Sequence, residues 1–343
     1  MSPLQTLSLA PHSASCEAET VGMTSSPHDA LFKSAFENPQ HAAAELRHIL
    51  PTELTHAIDW SSLRLEPGSF IDPKLADRHS DLLFSANLQH RQAYIYLLFE
   101  HQSANDPWMA LRLLAYMVRI WERRVAASPK APLPPIVPAV LAQVDGGWSA
   151  PARFAELFEA AVREHAGVHD LLPDFVYLVD DLSKLSDEEL AARGLADFPS
   201  LALWLLRDIR DPEALLRGLT TRAGALETLL RGPNGAEYLI RLLRYVALTA
   251  SELPFDRFYA KLTELSPSTE PYAMTIAEQL RHEGRQVGEL LAQRRALLAV
   301  LEARGLPIPD DVRARVESCD DPAQLQLWIV RAATVHSVDL LFD

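Results

Sequence analysis

The amino-acid sequence predicts an α/β protein in which a mixed sheet is flanked by helices and followed by a helical C-terminal region. Three observations indicate this fold. Residues 93–100 form an apolar run rich in aromatic side chains, which is typical of a strand buried on both faces. Apolar residues recur at helical spacing before this run, in 28–50, and after it, in 107–125. From residue 186 onward the pattern predicts one helix after another.

The first predicted elements are two short helices and three strands. Pro39 divides the helical stretch, because proline disrupts a helix interior, and Pro51 ends the second helix. The three strand patterns lie at 69–72, 81–88 and 93–100. A short polar link, 89–92, indicates a hairpin between the last two strands. Residues 52–66, which include Trp60, have a mixed pattern.

The later predicted elements are a long helix, two further strands and a helical half. Pro107 suits the first turn of a helix over 107–125. Two further strands are predicted, at 136–141 and 175–179. Pro138 favours an edge or an irregular start for the first of them. A capping box that begins at Ser186 opens the helical half.

We therefore expect five regions in the chain. In order, they are a disordered leader at 1–27, a core domain at 28–185, a helical region at 186–268, a long charged helix containing glycines at 269–305, and a small helical unit at 306–343. The leader holds many Ser and Thr and lacks the basic start and apolar stretch of a secretory signal.

The chain carries a net charge of −14, from 32 basic and 46 acidic residues. This balance argues against a protein that coats nucleic acid over its whole surface, because such binding depends on lysine and arginine. It leaves room for a local basic stripe. Cys16 and Cys319 are too few for a disulfide framework, which fits a reducing cytoplasm. No apolar run approaches the ~18–20 residues that span a bilayer, so no membrane partner is expected.

Two carboxylates stand at the ends of the predicted hairpin. Asp81 opens one strand and Glu100 closes the other, each about nine residues from the turn, so pairing brings both to one edge of the sheet. Gln102 shares a strand face with Glu100, because residues i and i+2 face the same way. Carboxylates favour Mg²⁺ or Mn²⁺, and such an ion activates water and polarises a phosphodiester. The pattern therefore predicts a divalent-metal site.

Other acidic residues have more than one explanation. Asp72 and Asp77 are further candidates upstream, and Asp72 is also explained by a turn. His101 faces away from the predicted metal, so we interpret it as structural. Asp180 and Asp181 fit either a metal pair or a junction between a strand and a turn.

Several segments, in one order along the chain, resemble a known family. They are 28–33, 50–51, 67–72, 78–84, 98–103, 109–117 and 133–138, and the charged segment 283–288 resembles a later helix of the same family. The family is that of the Rpn recombination-promoting nucleases, also known as YhgA-like transposases, within the PD-(D/E)XK nuclease superfamily. The match covers residues 28–185, and the Leu-Phe-Glu-His-Gln-Ser block at 98–103 is its most distinctive part.

The resemblance implies a PD-(D/E)XK-like core with the order α-β-β-β-α-β. Such a core has an acidic residue on its second strand and Glu-x-Lys on its third. Asp81 and Glu100 stand at the acidic positions, and their implied role is to bind Mg²⁺ or Mn²⁺. Gln102 stands where lysine is usual, and its implied role is to orient water or phosphate. At 140–147 the chain lacks the aromatic-His-Gly turn of the family.

The implied activity is divalent-metal-dependent cleavage of DNA in the bacterial cytoplasm, linked to recombination or to defence against mobile DNA. No organic cofactor is expected. A homodimer would suit double-strand cutting, with the helix 270–304 supplying contacts. One alternative stays open, namely a catalytically inactive relative that serves as a DNA-associated or protein-interaction module. The Gln102 substitution, the altered turn and the acidic charge leave room for it.

A stripe of polar side chains follows one side of the helix 107–125. Its members, at i, i+4, i+7 and i+11, are Arg112, Tyr116, Arg119 and Arg123. Arginine is well suited to phosphate, so one interpretation is a contact surface for the DNA backbone. The alternative is a solvated face paired with Glu122 and nearby acids. Trp108 and Trp121 of the same helix are interpreted as packing residues.

Overall fold

The computed structural model describes most of the chain. The described residues are 26–67, 81–89, 91–100, 105–165, 167–250 and 253–342, with the side chains of 98–100, 277, 280, 281, 283 and 284 excepted. Several predicted features lie outside them: the leader up to residue 25 with Cys16, the strand 69–72, Asp72, Asp77, His101 and Gln102. Contacts between residues divide the chain into two compact units, 1–207 and 208–343.

Within the described residues, the first unit is built on a five-stranded mixed sheet, which confirms the predicted α/β class. Its strands, in chain order and in spatial order, are β1 (Ile58–Leu65), β2 (Leu82–Leu88), β3 (Arg91–Glu100), β4 (Ile136–Ala142) and β5 (Leu178–Asp181). β1, β2 and β3 pair antiparallel, whereas β3, β4 and β5 pair in parallel. Parallel neighbours need a crossover connection, and the helix between β3 and β4 supplies one.

The helices of the first unit lie before, between and after these strands. They are α1 (Pro27–Phe36), α2 (Pro39–Ile49), α3 (Thr52–Ala57), α4 (Met109–Ala127), α5 (Ala160–Arg163), α6 (Asp187–Ala192) and α7 (Asp197–Asp208), with short 3₁₀ helices at Phe154–Leu157, His169–Leu171 and Leu182–Lys184. The predicted division at Pro39 is confirmed. Asn38 caps α2 there, because its side chain accepts a hydrogen bond from the backbone N–H of Gln40.

β2 and β3 form the predicted hairpin. Leu88 pairs with Arg91, and Gln89 has a positive φ of 48°, a conformation that tight hairpin turns use. β3 is the central strand of the sheet, and its residues 93–97 are buried. The hairpin therefore fixes the register of the strand that Asp81 precedes.

The helix α4 packs its apolar side against one face of the sheet. The shared core includes Met109, Ala110, Leu113, Tyr116 and Ile120 of α4 with Leu83, Tyr94, Tyr96, Val140, Phe154 and Tyr177. Burial of one large apolar side chain contributes roughly 1.5–3 kcal/mol. This core therefore fixes the rotation of α4, and with it the positions of the polar side chains of the helix.

β1 is a strand that the sequence analysis did not assign. Its pairing with β2 is irregular: from Asp59 to Arg64 β1 advances five residues, while β2 advances two from Asn87 to Ser85. The extra residues break the alternation of buried and exposed positions, so that two of its eight residues are buried. A bulged edge strand of this kind lacks the period-2 pattern that sequence analysis detects.

β5 begins later than the predicted strand 175–179. Phe175 stacks on Phe154, with ring centroids 5.4 Å apart, and Val176 forms an isolated bridge with Arg153. These contacts take the first predicted residues out of the main sheet. β5 instead extends to Asp181, beyond the apolar run that suggested it.

The second unit is helical, as predicted. Its helices are α8 (Pro212–Arg231), α9 (Gly235–Thr249), α10 (Phe255–Leu265), α11 (Glu270–Ala303), α12 (Asp310–Glu317) and α13 (Pro322–Ala332), with 3₁₀ helices at Pro267–Thr269 and Val338–Leu341. The end of α11 packs on α12 and α13 through a core that includes Leu297, Leu301 and Trp328. Across the described residues, no helix combines the length and the apolar character needed to cross a membrane.

Candidate functional site

Asp81 lies immediately before β2, at the edge of the sheet where that strand begins. It is 6% exposed, and neither of its carboxylate oxygens has a hydrogen-bond partner among the described residues. Burial raises the pKa of Asp81 to about 7, because desolvation disfavours the charged form. A buried polar group without a partner destabilises a fold, which makes Asp81 the candidate residue of this site.

Charged side chains from two helices act on Asp81. Arg112 of α4 and Lys33 of α1 lower its pKa, and Asp29 of α1 raises it. Arg112 also donates a hydrogen bond of 2.8 Å to Asp106, and both side chains of this pair are mostly buried. The surroundings of Asp81 therefore combine carboxylates with two cations, a composition suited to a divalent ion and a phosphate.

Tyr96 of β3 lies beside Asp81. Its hydroxyl is buried without a hydrogen-bond partner among the described residues. It is near enough to Asp81 to lower the pKa of that carboxyl, although it does not reach hydrogen-bonding geometry. Burial, and then the charge of Asp81, raises the pKa of Tyr96 well above its usual value, so the phenol stays neutral and is able to donate a hydrogen bond.

Sequence reasoning did not select four of these residues: Tyr96, Lys33, Asp29 and Asp106. Asp29 and Lys33 belong to the segment 28–33 that carries the family resemblance, and this was the available signal. Tyr96 has the pattern of an ordinary core residue in a buried strand. Only the tertiary structure shows that α1 and α4 both approach the start of β2.

The register of β2 and β3 places the backbone of Glu100 near that of Asp81. Leu82 pairs with Leu97, so the next position along β3 is opposite Asp81, and Glu100 lies two residues beyond it. Such diagonal positions on neighbouring strands are about 7–8 Å apart. The side chain of Glu100 and the whole of Gln102 lie outside the described residues, so their roles stay predictions.

The predicted stripe on α4 is not one exposed surface. Arg112 lies at the site described above, and Arg119 is exposed and pairs with Glu122 at 3.0 Å. Tyr116 is buried, and its ring centroid lies 5.3 Å from that of Tyr96. Its assignment to a DNA contact surface is therefore corrected to the core, because α4 turns this position toward the sheet. DNA binding by the arginines, including Arg123, stays a prediction.

Trp108 also differs from its predicted packing role. It is 58% exposed, and its backbone N–H donates a hydrogen bond of 2.8 Å to the carboxylate of Asp106. An aromatic ring is thus exposed next to the residue that pairs with Arg112. Trp121 is a packing residue, as predicted, and its indole N–H donates to the carbonyl of Pro134 at 2.9 Å.

Asp180 and Asp181 each have protein partners. Asp180 pairs with Arg193 at 2.7 Å. Asp181 accepts a hydrogen bond of 2.7 Å from the backbone N–H of Trp148 and lies 3.1 Å from the amino group of Lys184. These contacts support the interpretation of the two acids as a junction between a strand and a turn.

The turn at 145–147, which stands in place of the aromatic-His-Gly turn, is tied to the segment after β3. Asn105 donates to the carbonyl of Gly147 at 3.1 Å and accepts from the backbone N–H of Ser149 at 2.8 Å. Gly146 and Gly147 both have positive φ, which glycine adopts without steric penalty. The turn therefore has a structural function in this chain.

The carboxylate oxygens of Asp81 fit part of a divalent-metal site. Asp81 supplies two buried oxygens that no described donor satisfies, and carboxylate oxygen is the ligand that Mg²⁺ and Mn²⁺ prefer. Within the part of the chain that the structure describes, no three His, Cys, Asp or Glu side chains form a group that could hold a metal. The described residues thus supply one carboxylate of the predicted site.

Fold and site together define an α/β protein with a buried carboxylate at the start of the second strand of a mixed sheet. The family described as "Putative transposase, YhgA-like" matches residues 26–229 of the chain. The chain belongs to this family, which confirms the resemblance found in the sequence. No solved structure matches the chain.

Curated relatives of the chain have names of two kinds. It is 32% identical over 260 residues to "Recombination-promoting nuclease RpnD" of Escherichia coli O157:H7, covering 76% of this chain and 96% of the relative. It is 29% identical over 290 residues to "Recombination-promoting nuclease RpnA" of Escherichia coli strain K12, covering 84% and 94%. It is also 32% identical over 270 residues to "Inactive recombination-promoting nuclease-like protein RpnE" of the same strain, covering 78% and 86%. The curated relatives therefore include both proteins named as nucleases and a protein named as inactive.

Proposed function

We propose that the chain is a divalent-metal-dependent DNA endonuclease that hydrolyses phosphodiester bonds and promotes recombination. The observation that carries this proposal is the carboxylate of Asp81, which is buried, has no hydrogen-bond partner among the described residues and lies beside two cations. The relatives named as recombination-promoting nucleases support it. A protein with a purely structural Asp81 would pair this carboxylate with a donor of its own.

Each residue of the proposed site has a distinct role. Asp81 and Glu100 hold Mg²⁺ or Mn²⁺, which when bound polarises the phosphodiester and activates water. Arg112 offsets negative charge on the phosphate. Tyr96 places a neutral hydroxyl beside Asp81. Gln102 orients water or phosphate by hydrogen bonding only, because an amide cannot take up and release a proton as a base does.

The exposed residues of α4 supply the DNA contacts in this proposal. Trp108 presents its ring to solvent near the Arg112–Asp106 pair, and exposed aromatic rings stack on unpaired bases. Arg119 and Arg123 lie further along the same helix and suit the phosphate backbone. The net charge of −14 makes such local cations necessary, because the rest of the surface repels DNA.

The test is cleavage of supercoiled plasmid in Mg²⁺, Mn²⁺, Ca²⁺ or EDTA by the wild type and by the variants Asp81→Ala and Glu100→Ala. A matched control is Asp256→Ala, which removes an exposed acid of α10. We expect nicking or linearisation that needs Mg²⁺ or Mn²⁺, is lost in both site variants and is kept in the control. Absence of cleavage, or equal cleavage by all variants, would refute the proposal.

A second candidate function is that of a catalytically inactive relative, which serves as a DNA-associated or protein-interaction module. The observation that favours it is the relative named as inactive, which is as similar to this chain as a relative named as a nuclease. Metal binding discriminates the two. An inactive relative shows no Mg²⁺- or Mn²⁺-dependent rise in melting temperature, or a rise that Asp81→Ala leaves unchanged.

A further inference from the structure

A pocket of about 650 Å³ lies in the first unit, between α2 and the bulge of β1. The side chains that give it its character are Asn38, Gln40, Arg47, Trp60, Ser61 and Arg64. Within the described part of the chain, none of its lining residues is acidic. Arg47 and Arg64 give the lining a net positive charge, and one acid, Asp59, adjoins it by accepting a hydrogen bond of 2.6 Å from the hydroxyl of Ser61.

Arg47 is held in the pocket by an aromatic ring and not by an acid. Its guanidinium carbon lies 4.6 Å from the centre of the Trp60 ring, a distance typical of a cation–π contact. The indole N–H of Trp60 donates to the carbonyl of Thr55 at 2.9 Å, which fixes the ring. Among the described residues, Arg47 has no carboxylate within ion-pair distance, so its charge is positioned and not neutralised.

Arg64 is held by backbone carbonyls. Its Nη1 donates to the carbonyls of Ser61 at 3.3 Å and Leu63 at 3.1 Å. Its Nε and Nη2 donate to no partner in the described part of the chain, and no carboxylate there pairs with it. Other described arginines form ion pairs, as Arg153 does with Asp174. The two arginines of the pocket are therefore held in fixed orientations, and Arg64 has N–H groups that no described residue accepts from.

The bulge of β1 creates this arrangement. Trp60, Ser61 and Leu63 lie in the extra residues between Asp59 and Arg64, and bulges re-aim side chains that a regular strand would place elsewhere. The opposite wall is α2, from its N-cap residue Asn38 to Arg47 in its last turn. The bulge and α2 thus bring Arg47 and Arg64 to the same pocket, and guanidinium groups favour an anion there.

We propose that this pocket binds phosphates of a nucleic-acid strand outside the site of cleavage. The inference rests on the proposed nuclease function, which identifies the bound anion as nucleic acid. In the sheet register, Arg64 of β1 lies opposite Ser85 of β2. Ser85 is four residues from Asp81, which corresponds to about 13 Å along an extended chain. That length matches the rise of about four nucleotides of B-form DNA. A DNA strand with one phosphate at Asp81 would therefore place a phosphate near the pocket about four nucleotides further along.

The test measures binding and not cleavage. Fluorescence anisotropy of a labelled DNA duplex is followed in EDTA, over a series of salt concentrations, with the full-length wild type and with Arg47→Ala and Arg64→Ala. We expect each variant to bind roughly 3- to 10-fold more weakly and to reduce the slope of log K against log salt by about 1, because one phosphate contact is lost. Trp60→Phe, which keeps a ring under Arg47, should lose less affinity than Trp60→Ala.

The matched control is Arg231→Ala, which removes the same charge from an exposed position on α8. Unchanged affinity and slope in both pocket variants, or the same loss in the control, overturns the inference. Arg64→Ala answers the question if Arg47→Ala unfolds, because within the described residues the hydrogen bonds of the Arg64 guanidinium go to backbone carbonyls. Binding of a free mononucleotide without binding of DNA also overturns it. If the protein binds DNA through the pocket but does not cut it, that result refutes the proposed nuclease function and leaves the pocket inference standing.

Discussion

Arg193 donates two hydrogen bonds of 2.7 Å to the carboxylate of Asp180. The same guanidinium also bonds to Glu45 of α2, which is fully buried. His48 of α2 completes the contact, with its Nε2 atom 2.6 Å from the carbonyl oxygen of Arg193. This cluster joins α2, β5 and the end of α6, so a buried charge network ties together parts of the first unit that are distant in sequence.

Removal of Arg193 is expected to destabilise the first unit strongly. The variant Arg193→Ala leaves the mostly buried carboxylate of Asp180 without its cation and the buried carboxyl of Glu45 without its hydrogen-bond donor, and breaking a buried pair in this way reduces the free energy of unfolding by about 3–5 kcal/mol. Urea denaturation followed by circular dichroism measures it. The control Arg231→Ala removes an arginine that is 78% exposed, with an expected loss of about 0–1 kcal/mol. Equal losses in the two variants would contradict the prediction.

Glu45 is expected to make stability fall as pH rises. Burial, with the nearby charge of Asp180 and against the opposing charge of Arg193, raises the pKa of Glu45 from its usual 4.5 to about 8. The folded protein therefore keeps a proton that the unfolded chain releases. This contribution to stability is fully present below pH 4.5 and is lost as pH rises toward 8. Unfolding free energies measured across this range should fall more steeply for the wild type than for Glu45→Gln, and parallel curves would refute the idea.

Asp81 is expected to lower the stability of the metal-free protein. In EDTA at a pH above 7, Asp81→Asn replaces a buried, unpartnered carboxylate with a neutral group of the same shape, which should raise the free energy of unfolding by about 1–3 kcal/mol. Added Mg²⁺ should raise the melting temperature of the wild type and not that of the variant. Asp256→Asn, at an exposed position, is the control. A variant less stable than the wild type in EDTA would contradict the expectation.

Arg112 is expected to contribute to cleavage more than to stability. Because it lies near enough to lower the pKa of Asp81, Arg112→Ala should reduce the rate of plasmid cleavage at saturating DNA by roughly 100-fold, as loss of one charge-stabilising donor does in other enzymes. Arg257→Ala removes an arginine paired with Glu213 in the second unit and should change the rate by less than about 3-fold. Similar rates in the two variants would remove Arg112 from the proposed site.

Local patterns in the sequence correctly predicted the elements that have capping, turn or periodicity signals. The two helices separated by Pro39, the hairpin before and after 89–92, and the long helix α11 are all present where their patterns predict them. Each depends on capping, turn or periodicity signals within a few residues. β1 lacks such a signal because its bulge interrupts the alternation, and the start of β5 was misplaced because Phe175 packs on a residue outside the sheet.

The candidate site divides in the same way. For Asp81 the family resemblance carried the assignment as a candidate, because a carboxylate at the start of a strand is also explained by a turn or a cap, and the match to the family confirms that resemblance. Neither the sequence pattern nor the resemblance indicated that Tyr96, Arg112 and Lys33 lie near enough to Asp81 to lower its pKa. Neither indicated that Tyr116 is buried in the core or that Trp108 is exposed.

The sequence by itself therefore determined the α/β class, the family and the elements that have strong local signals. The tertiary structure decided which side chains meet. Arg193 and Glu45 are 148 residues apart in the chain and bond directly, and Arg47 meets Trp60 only because α2 and the bulged β1 lie side by side. Periodicity and capping report on neighbours along the chain, whereas burial and charge environment depend on contacts between distant segments, and these contacts exist only in the folded chain.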